Sequence, residues 1–330
     1  MANKVFLLGA GFSKPAGFPL ANDLLNFVRS YLNESSNGID IGFKEELEIF
    51  INGIEHPLLS NIELLLTYID LALSNHSIGM FTHYASSDEL QVFRLKFSGA
   101  IVRAFDNGHQ KLNPKKDMYQ KFCHKLQDGD TVVTFNYDVV IEQGLWEQNK
   151  WTFLDGYGLK KDVNNFQAPF GGAYPSDLPT ESLIKVYKLH GSLGWIDDSN
   201  NQIIFRGMPD YFQDYRLLYC EKNLYAKGAR WDEGTTFIEP TYVKRFNCKP
   251  MLDLWKQSFQ ALQQSDEIII IGYSLPEADA FARTLLASGV FKAASSITVV
   301  NPDASVFDNF ERILDKKIIK KKMSFEEWMD

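Results

Sequence analysis

Five short apolar runs, each followed at once by glycine or polar residues, constrain the fold of this 330-residue chain more than any other feature. The runs are Lys4–Leu8, Thr131–Phe135, Leu183–Leu189, Glu267–Ile271 and Ile297–Val300. Four of them are almost continuously apolar, which is typical of parallel strands buried on both faces. Leu183–Leu189 alternates with lysines, so we expect it nearer an edge. The sequence therefore predicts an α/β fold with a Rossmann-like parallel sheet flanked by helices.

The residues that follow the five runs are expected to meet in space. They are Gly9-Ala10-Gly11, Asn136-Tyr137-Asp138, His190-Gly191-Ser192, Gly272-Tyr273-Ser274 and Asn301-Pro302-Asp303. In an open α/β sheet, ligands bind outside the carboxyl ends of the strands. The sequence therefore predicts that these five segments line one crevice.

The segment between the first two runs has the pattern of helices only. Apolar residues recur at helical spacing in Leu20–Leu32, Phe43–Ile54, Ile62–Leu73 and Glu89–Phe105. We predict an α/β domain made of residues 1–32 and 126–330, which contains all five runs. A helical insertion subdomain, residues 33–125, would interrupt it.

Charge and composition exclude several other classes of protein. The formal net charge of −8 disfavours direct nucleic-acid binding, and the lysine-rich segment from Lys316 to Lys322 fits a solvated edge strand. No apolar run is long enough for a membrane helix, and the N-terminus lacks a secretory signal, so we expect a cytoplasmic protein. Three distant cysteines, Cys123, Cys220 and Cys248, cannot form a four-cysteine zinc module, and we expect no metal.

The glycine turn after the first run has two interpretations. A strand followed by Gly-x-Gly and a helix lets the backbone approach a pyrophosphate, with the helix N-terminus facing its charge. The third glycine of the ordinary dinucleotide fingerprint would fall at Lys14, and no acidic residue ends a second strand about twenty residues later. Taken alone, Gly9-Ala10-Gly11 fits a tight turn as well as it fits a nucleotide site.

The five strand-end segments, in this order, resemble the Sir2 (sirtuin) superfamily, and specifically the Sir2-like domains of bacterial anti-phage defence proteins. Deacylating sirtuins carry a four-cysteine zinc module and an Asn-Ile-Asp motif, whereas this chain has a helical segment and Asn136-Tyr137-Asp138. The resemblance implies an NAD+ glycohydrolase that converts its substrate NAD+ to ADP-ribose and nicotinamide. On activation it would deplete NAD+, as in abortive infection.

The chemistry of that reaction suits two of the strand-end residues. Nicotinamide on C1′ of the ribose is already cationic, so it leaves as a neutral molecule from an oxocarbenium-like transition state without needing a proton. The site must instead orient water or a ribose hydroxyl and accept its proton. Asn136 suits the first role and His190 the second, because an unperturbed imidazole titrates near pH 6.5.

The resemblance implies binding roles at the remaining strand ends. The first turn would contact the pyrophosphate and the nicotinamide ribose through Gly9, Ala10, Gly11 and Ser13. Gly272 and Ser274 would meet a phosphate or the adenine ribose, and Asn301 the adenine-ribose hydroxyls. Asp138 would line the nicotinamide pocket or orient Asn136, unless it is only a helix N-cap.

Three further residues near these motifs are harder to assign. We expect Asp279 to cap or brace the helix after the fourth run rather than to touch ligand. Tyr137 and Phe12 either stack on the nicotinamide or belong to the core.

Because uncontrolled NAD+ loss would kill the host, the resemblance also implies control. We expect a homo-oligomer and an activating protein partner, such as a helicase-like ATPase or a short Argonaute-type protein. Two alternatives stay open: a regulatory domain that binds NAD+ or ADP-ribose without cleaving it, and a protein deacylase.

Overall fold

The structure is a computed structural model, and it describes most of the chain. The described residues are 3–53, 61–74, 86–110, 115–153, 155–159, 181–197, 203–205, 235–237, 249–288, 294 and 296–330. The strands are β1 (Lys4–Leu8), β2 (Thr131–Thr134), β3 (Lys185–Lys188), β4 (Gly191–Asp197), β5 (Ile203–Phe205), β6 (Thr235–Phe237), β7 (Glu267–Ile271), β8 (Ser296–Val300) and β9 (Ile319–Lys321). The helices are α1 (Ala10–Ser13), α2 (Leu24–Glu34), α3 (Gly38–Gly53), α4 (Ile62–Ser74), α5 (Ser87–Gln110), α6 (Lys116–Lys125), α7 (Val140–Trp146), α8 (Lys249–Gln264), α9 (Ala280–Ala287), α10 (Ser305–Leu314) and α11 (Phe325–Met329).

Six strands form one parallel sheet in the order β3-β2-β1-β7-β8-β9. Numbered along the chain within this sheet, the order is 3-2-1-4-5-6, which is the Rossmann order. All five predicted runs are strands of this sheet, so the predicted Rossmann-like fold is confirmed. β3 lies at one edge, as its alternating pattern indicated, and the lysine-rich β9 is the exposed strand at the other.

The centre of the sheet explains the uninterrupted apolar runs. β1 and β7 pair in register, with Leu7 opposite Ile270 and Leu8 opposite Ile271, and all four side chains are fully buried. A strand covered on both faces has no solvent side on which to place polar residues. The reversal of strand order falls between these two strands, where a crevice opens at the sheet's carboxyl edge.

Between β1 and β2 the described residues contain helices and no strand, as predicted. Helices α2, α3, α4 and α5 pack on one another, and the Arg94–Asp70 ion pair (Nε to Oδ1, 2.9 Å) joins α5 to α4. Helix α6 instead packs on the sheet, where the Phe122 ring lies edge-on to Phe6 at 5.6 Å. The domain boundaries at residues 33 and 125 remain a prediction.

A second, smaller sheet is antiparallel. Strands β4, β5 and β6 form it in the order β5-β4-β6. Within the part of the chain that the structure describes, no helix is both long enough and apolar enough to cross a membrane.

Candidate functional site

A cavity of about 630 Å³ lies at the carboxyl ends of the parallel strands. This volume is within the range of small-molecule sites in proteins. All ten residues predicted to form the site line it: Gly9, Ala10, Gly11, Ser13, Asn136, Asp138, His190, Gly272, Ser274 and Asn301. The predicted convergence of the strand ends is therefore confirmed, whereas the role of each residue remains a prediction.

The glycines beside the cavity are required by a close crossing of two chain segments. The amide of Gly11 donates to the carbonyl of Gly272 at 2.9 Å, joining the end of β1 to the end of β7. A Cβ on Gly11 would lie 2.7 Å from the Gly272 Cα, and Gly272 itself has φ +63°. The tight-turn interpretation thus accounts for these glycines. The helix that follows, α1, has only four residues, so the long helix of a dinucleotide fingerprint is absent at this point.

Asn136 follows β2 and is held in one orientation. Its Nδ2 donates to the Gly9 carbonyl at 3.0 Å and to Ser13 Oγ at 2.9 Å. Its main-chain N–H donates to Thr134 Oγ1 at 3.1 Å. Because both amide hydrogens are engaged, Oδ1 is the atom of this side chain left to accept a hydrogen bond from a ligand.

His190 follows β3 and pairs with a carboxylate from a distant segment. Its Nε2 lies 3.2 Å from Asp279 Oδ2, which also accepts a hydrogen bond from the Tyr273 hydroxyl at 2.8 Å. The imidazole ring lies 5.0 Å from the Phe135 ring, between centroids. A carboxylate in this position orients the ring and stabilises the imidazolium that forms when the histidine accepts a proton.

Asp279 has both the predicted role and an unpredicted one. Its Oδ1 accepts from the main-chain N–H of Ala282 at 3.4 Å, so it caps α9 as expected. Its contact with His190 also places it in the cavity wall, which the expected capping role did not include. The signal in the sequence was an acidic residue in the loop that follows a predicted strand.

Asp138 accepts a hydrogen bond at the start of a helix and is also linked to Asn136, so more than one of the alternatives considered for it applies. Its Oδ1 accepts from the N–H of Val140 at 3.1 Å, at the start of α7, and its carboxylate also accepts from the Ser13 hydroxyl. Since Ser13 Oγ accepts from Asn136, Asp138 is linked to Asn136 through one hydroxyl. Burial raises the pKa of Asp138, and the nearby Lys188 and Ser13 act in the opposite direction.

The other predicted polar residues differ in how many of their side-chain atoms already form hydrogen bonds within the protein. Asn301 braces its own loop, since its Oδ1 accepts from the Asp303 N–H at 3.0 Å and its Nδ2 donates to the Tyr273 carbonyl at 3.4 Å. Asp303 accepts from the N–H and hydroxyl of Ser305 at the start of α10. Ser274 is exposed at the cavity.

The two aromatic residues considered for stacking lie in different places. Tyr137 lines the cavity, and its ring is edge-on to Phe105 of α5 at 6.0 Å. Phe12 belongs to the core: its ring lies 4.5 Å from Phe325 and 5.2 Å from Phe122. Of the two interpretations of Phe12, the structure therefore favours the core, because its side chain is buried and does not line the cavity.

The helical segment also contributes to the cavity wall, which the sequence did not indicate. Phe105 of α5, Glu63 of α4 and Leu24 of α2 line it together with Phe18. Among the described residues, no group of three or more His, Cys, Asp or Glu side chains is arranged to hold a metal ion. Cys220 and Cys248 lie outside the described residues, and Cys123 is a buried free thiol.

Comparison with curated protein sequences gives no match. Among solved structures, one reported under "The Structural basis of Sirtuin Substrate Affinity" is 14% identical with a TM-score of 0.43 and covers 99% of this chain and 91% of that chain. A structure of Sir2 with a p53 peptide and NAD+ is 14% identical with a TM-score of 0.43, covering 99% of this chain and 90% of that chain. A structure of Sir2Tm bound to a propionylated peptide is 14% identical with a TM-score of 0.42, and the match covers 99% of this chain and 90% of that chain.

A protein-family model matches just under half of this chain. The matched segment contains five of the ten predicted site residues, which follow β2, β3 and β7. Residues 130–288, with Asn136, Asp138, His190, Gly272 and Ser274, match the family model of the SIR2-like domain, which confirms the SIR2-like part of the expected resemblance for this segment.

Proposed function

We propose that this protein is an NAD+ glycohydrolase, which cleaves NAD+ to ADP-ribose and nicotinamide. The observation that carries the proposal is that two polar side chains, each held in place by the protein, line the same cavity. Asn136 has both amide hydrogens engaged, and His190 lies 3.2 Å from the carboxylate of Asp279. The match of the surrounding segment to the SIR2-like domain supports NAD+ as the substrate.

In the proposed reaction, the bond between C1′ of the ribose and the nicotinamide nitrogen breaks, and its electron pair leaves with the neutral nicotinamide. Asn136 Oδ1 accepts a hydrogen bond from the incoming water or from a ribose hydroxyl and so orients it. The oxygen of water bonds to C1′, and His190 takes the released proton. Asp279 stabilises the imidazolium until the proton passes to solvent.

The remaining cavity residues would hold the ADP-ribose part. The N–H groups of Gly9 and Gly11 already donate to carbonyls at the end of β7, so the exposed Lys14 at the cavity would supply the positive charge for the pyrophosphate. The exposed hydroxyl of Ser274 is available for a phosphate or a ribose hydroxyl. Asn301 would act mainly by holding its loop, because both ends of its side-chain amide already bond the protein.

We extend the proposal to bacterial anti-phage defence on the resemblance of the five strand-end motifs. In that setting the enzyme depletes NAD+ when infection is sensed, in the cytoplasm, as an oligomer with an activating protein partner. The cleavage reaction and the biological setting are separate claims, since the first depends on the site and the second on the resemblance alone.

The test is NAD+ consumption and nicotinamide release by the wild type, Asn136→Ala and His190→Ala over a range of protein concentrations. General-base catalysis contributes roughly 10²- to 10⁴-fold, so we expect a loss of that order in His190→Ala. Asn136→Ala should also lose activity, because it removes the group that orients the nucleophile. Full turnover by His190→Ala would eliminate this residue as the base.

The same assay separates the alternatives. A domain that only binds NAD+ or ADP-ribose would be stabilised by ADP-ribose against thermal unfolding without releasing nicotinamide. A deacylase would release nicotinamide only when an acyl-lysine peptide is added. Peptide-independent release of nicotinamide and ADP-ribose is the result expected here.

A further inference from the structure

A lysine is fully buried beneath the proposed site, with no contribution to the cavity itself. Lys188, the last residue of β3, lies two residues before His190, and its side chain has no exposed surface. Its Nζ is 2.8 Å from Oε1 of Glu142 on α7, which is equally buried. The same ammonium donates to the main-chain carbonyl of Asp138.

This ion pair is not explained by stability alone. Desolvating two charges costs several kcal/mol each, and a buried pair replaced by apolar residues of similar volume often leaves a protein as stable or more so. The Lys188 ammonium lies among buried carboxyls, beside a loop that contains Asn136 and Asp138. A role in ordering that loop is the alternative to a purely structural one.

A continuous set of hydrogen bonds leads from Lys188 to Asn136. Lys188 donates to the Asp138 carbonyl and faces its carboxylate. The Ser13 hydroxyl donates to that carboxylate, and Ser13 Oγ in turn accepts from Asn136 Nδ2 at 2.9 Å. The Lys188 and Asn136 nitrogens can only donate, so the bond between Ser13 and Asp138 is the one in this set whose direction depends on Asp138 being an acceptor.

We propose that Lys188 is a positioning residue that anchors the loop of Asn136 and Asp138 through the Asp138 carbonyl, so that Asp138, Ser13 and Asn136 stay linked and Asn136 Oδ1 is directed to the substrate. The structural part of this inference concerns the Asn136 side chain. Its catalytic consequence rests on the proposed NAD+ cleavage.

The charged and titratable groups around Asp138 make the protonation of its carboxyl sensitive to Lys188. Glu142 on α7 and Tyr119 on α6 face it as well, and Lys188 on β3 is the cation that acts on Asp138. Burial raises the pKa of both carboxyls, and Lys188 opposes that rise in each. Without Lys188, the pKa of Asp138 rises further, and a protonated Asp138 no longer has to accept from Ser13.

The first test replaces the pair by apolar residues, Lys188→Met with Glu142→Leu, so that no buried charge is left without its partner. We expect kcat for NAD+ cleavage to fall by at least about tenfold with KM changed less than about threefold, because orientation rather than binding is lost. The acid limb of the pH profile of kcat moves to higher pH. The control Glu142→Gln keeps Lys188 and leaves a side-chain carbonyl opposite its ammonium, so its acid limb should not move to higher pH.

A second variant and a structural measurement keep the inference falsifiable if the double variant does not fold. Ser13→Ala breaks the link between Asp138 and Asn136 without altering the buried pair, and it should lower kcat by a similar factor. Unchanged kcat and pH profile in either variant overturn the inference.

The crystal structure of the double variant tests the positioning without any assay. Loss of the bond between Asn136 Nδ2 and Ser13 Oγ supports the inference, and its retention contradicts it. A wild-type protein that cleaves no NAD+ would refute the proposed function, and this structural comparison would still decide the role of Lys188.

Discussion

At the scale of single residues, the candidate site was predicted from the residues that directly follow the strands. The functional groups of those residues then indicated which of them could take part in the reaction. Asn136 follows a run typical of a buried strand and His190 follows the alternating run, and each carries the functional group that the proposed reaction needs. Two partners were missed, Asp279 and Lys188. Asp279 is 89 positions from His190 along the chain, and no local pattern connects the two residues. Lys188 stood in an alternating run, where a lysine normally indicates a solvent-facing position.

The pairing of Asp279 with His190 gives a prediction at this scale. Asp279→Asn keeps a side chain that can cap α9 and occupy the same volume, but it removes the charge that stabilises the imidazolium. We expect kcat for NAD+ cleavage to fall by roughly 10²-fold or more, with little change in thermal stability.

Glu277, an exposed acidic residue of the same loop, provides the control. Glu277→Gln should leave kcat within about twofold, because a solvent-exposed charge outside the cavity lining contributes little. Equal activity in the two variants would show that the carboxylate of Asp279 serves only the helix.

At the scale of secondary structure, continuous apolar runs predicted strands accurately, because a strand covered on both faces leaves a local record in the sequence. The glycine turn did not reveal its cause in the same way. Its glycines resemble a phosphate-binding signature, yet the structure shows that the ends of β1 and β7 approach so closely that side chains are excluded. A sequence pattern cannot separate these causes, since both need a residue without a Cβ.

We expect alanine to have opposite effects at two glycines, one at the chain crossing and one inside a helix. Gly272→Ala would place a Cβ against main-chain atoms of Gly11 and Phe12 at a positive φ, and we expect a loss of ~2–5 kcal/mol in the free energy of unfolding. Gly42→Ala, inside α3 with open space around its Cβ position, should gain ~0.5–1 kcal/mol from higher helix propensity. Urea unfolding of both variants measures the two changes, and a harmless Gly272→Ala would contradict the described crossing.

At the scale of the whole molecule, helices from between β1 and β2 and loops from the opposite end of the chain enclose one cavity. The helical segment was predicted as an insertion, but its periodicity did not indicate that Phe105 and Glu63 face the site. The interior beneath the cavity is also charged, since Lys188, Glu142 and Asp138 lie together there. These groups give the folded state a distinctive dependence on pH.

Two glutamates should contribute to that dependence with opposite signs. Burial raises the folded-state pKa of Glu142 above its ordinary 4.5, so its contribution is fully present below pH 4.5 and is lost as the pH rises through the raised value. The hydrogen bond from Arg29 lowers the pKa of Glu48, whose contribution is present above pH 4.5 and is lost as the pH falls through the lowered value.

Urea unfolding of Glu142→Gln and Glu48→Gln between about pH 3 and pH 8 tests both signs. Relative to the wild type, Glu142→Gln should weaken the decline of stability with rising pH. Glu48→Gln should differ most from the wild type at neutral pH and least at the acid end. Parallel pH curves for the wild type and Glu142→Gln would contradict the raised pKa.

The sequence by itself determined the parallel sheet, the segments that end its strands and the residues gathered at its carboxyl edge. Each of these follows from short-range properties: the burial of a strand on two faces, the turn residues that end it and the common direction of parallel strands. The tertiary structure alone decided that Asp279 meets His190, that Lys188 is buried beneath Asn136 and that the glycines serve a chain crossing. Those contacts join segments far apart in the chain, and their existence depends on how helices and loops pack, which no local periodicity records.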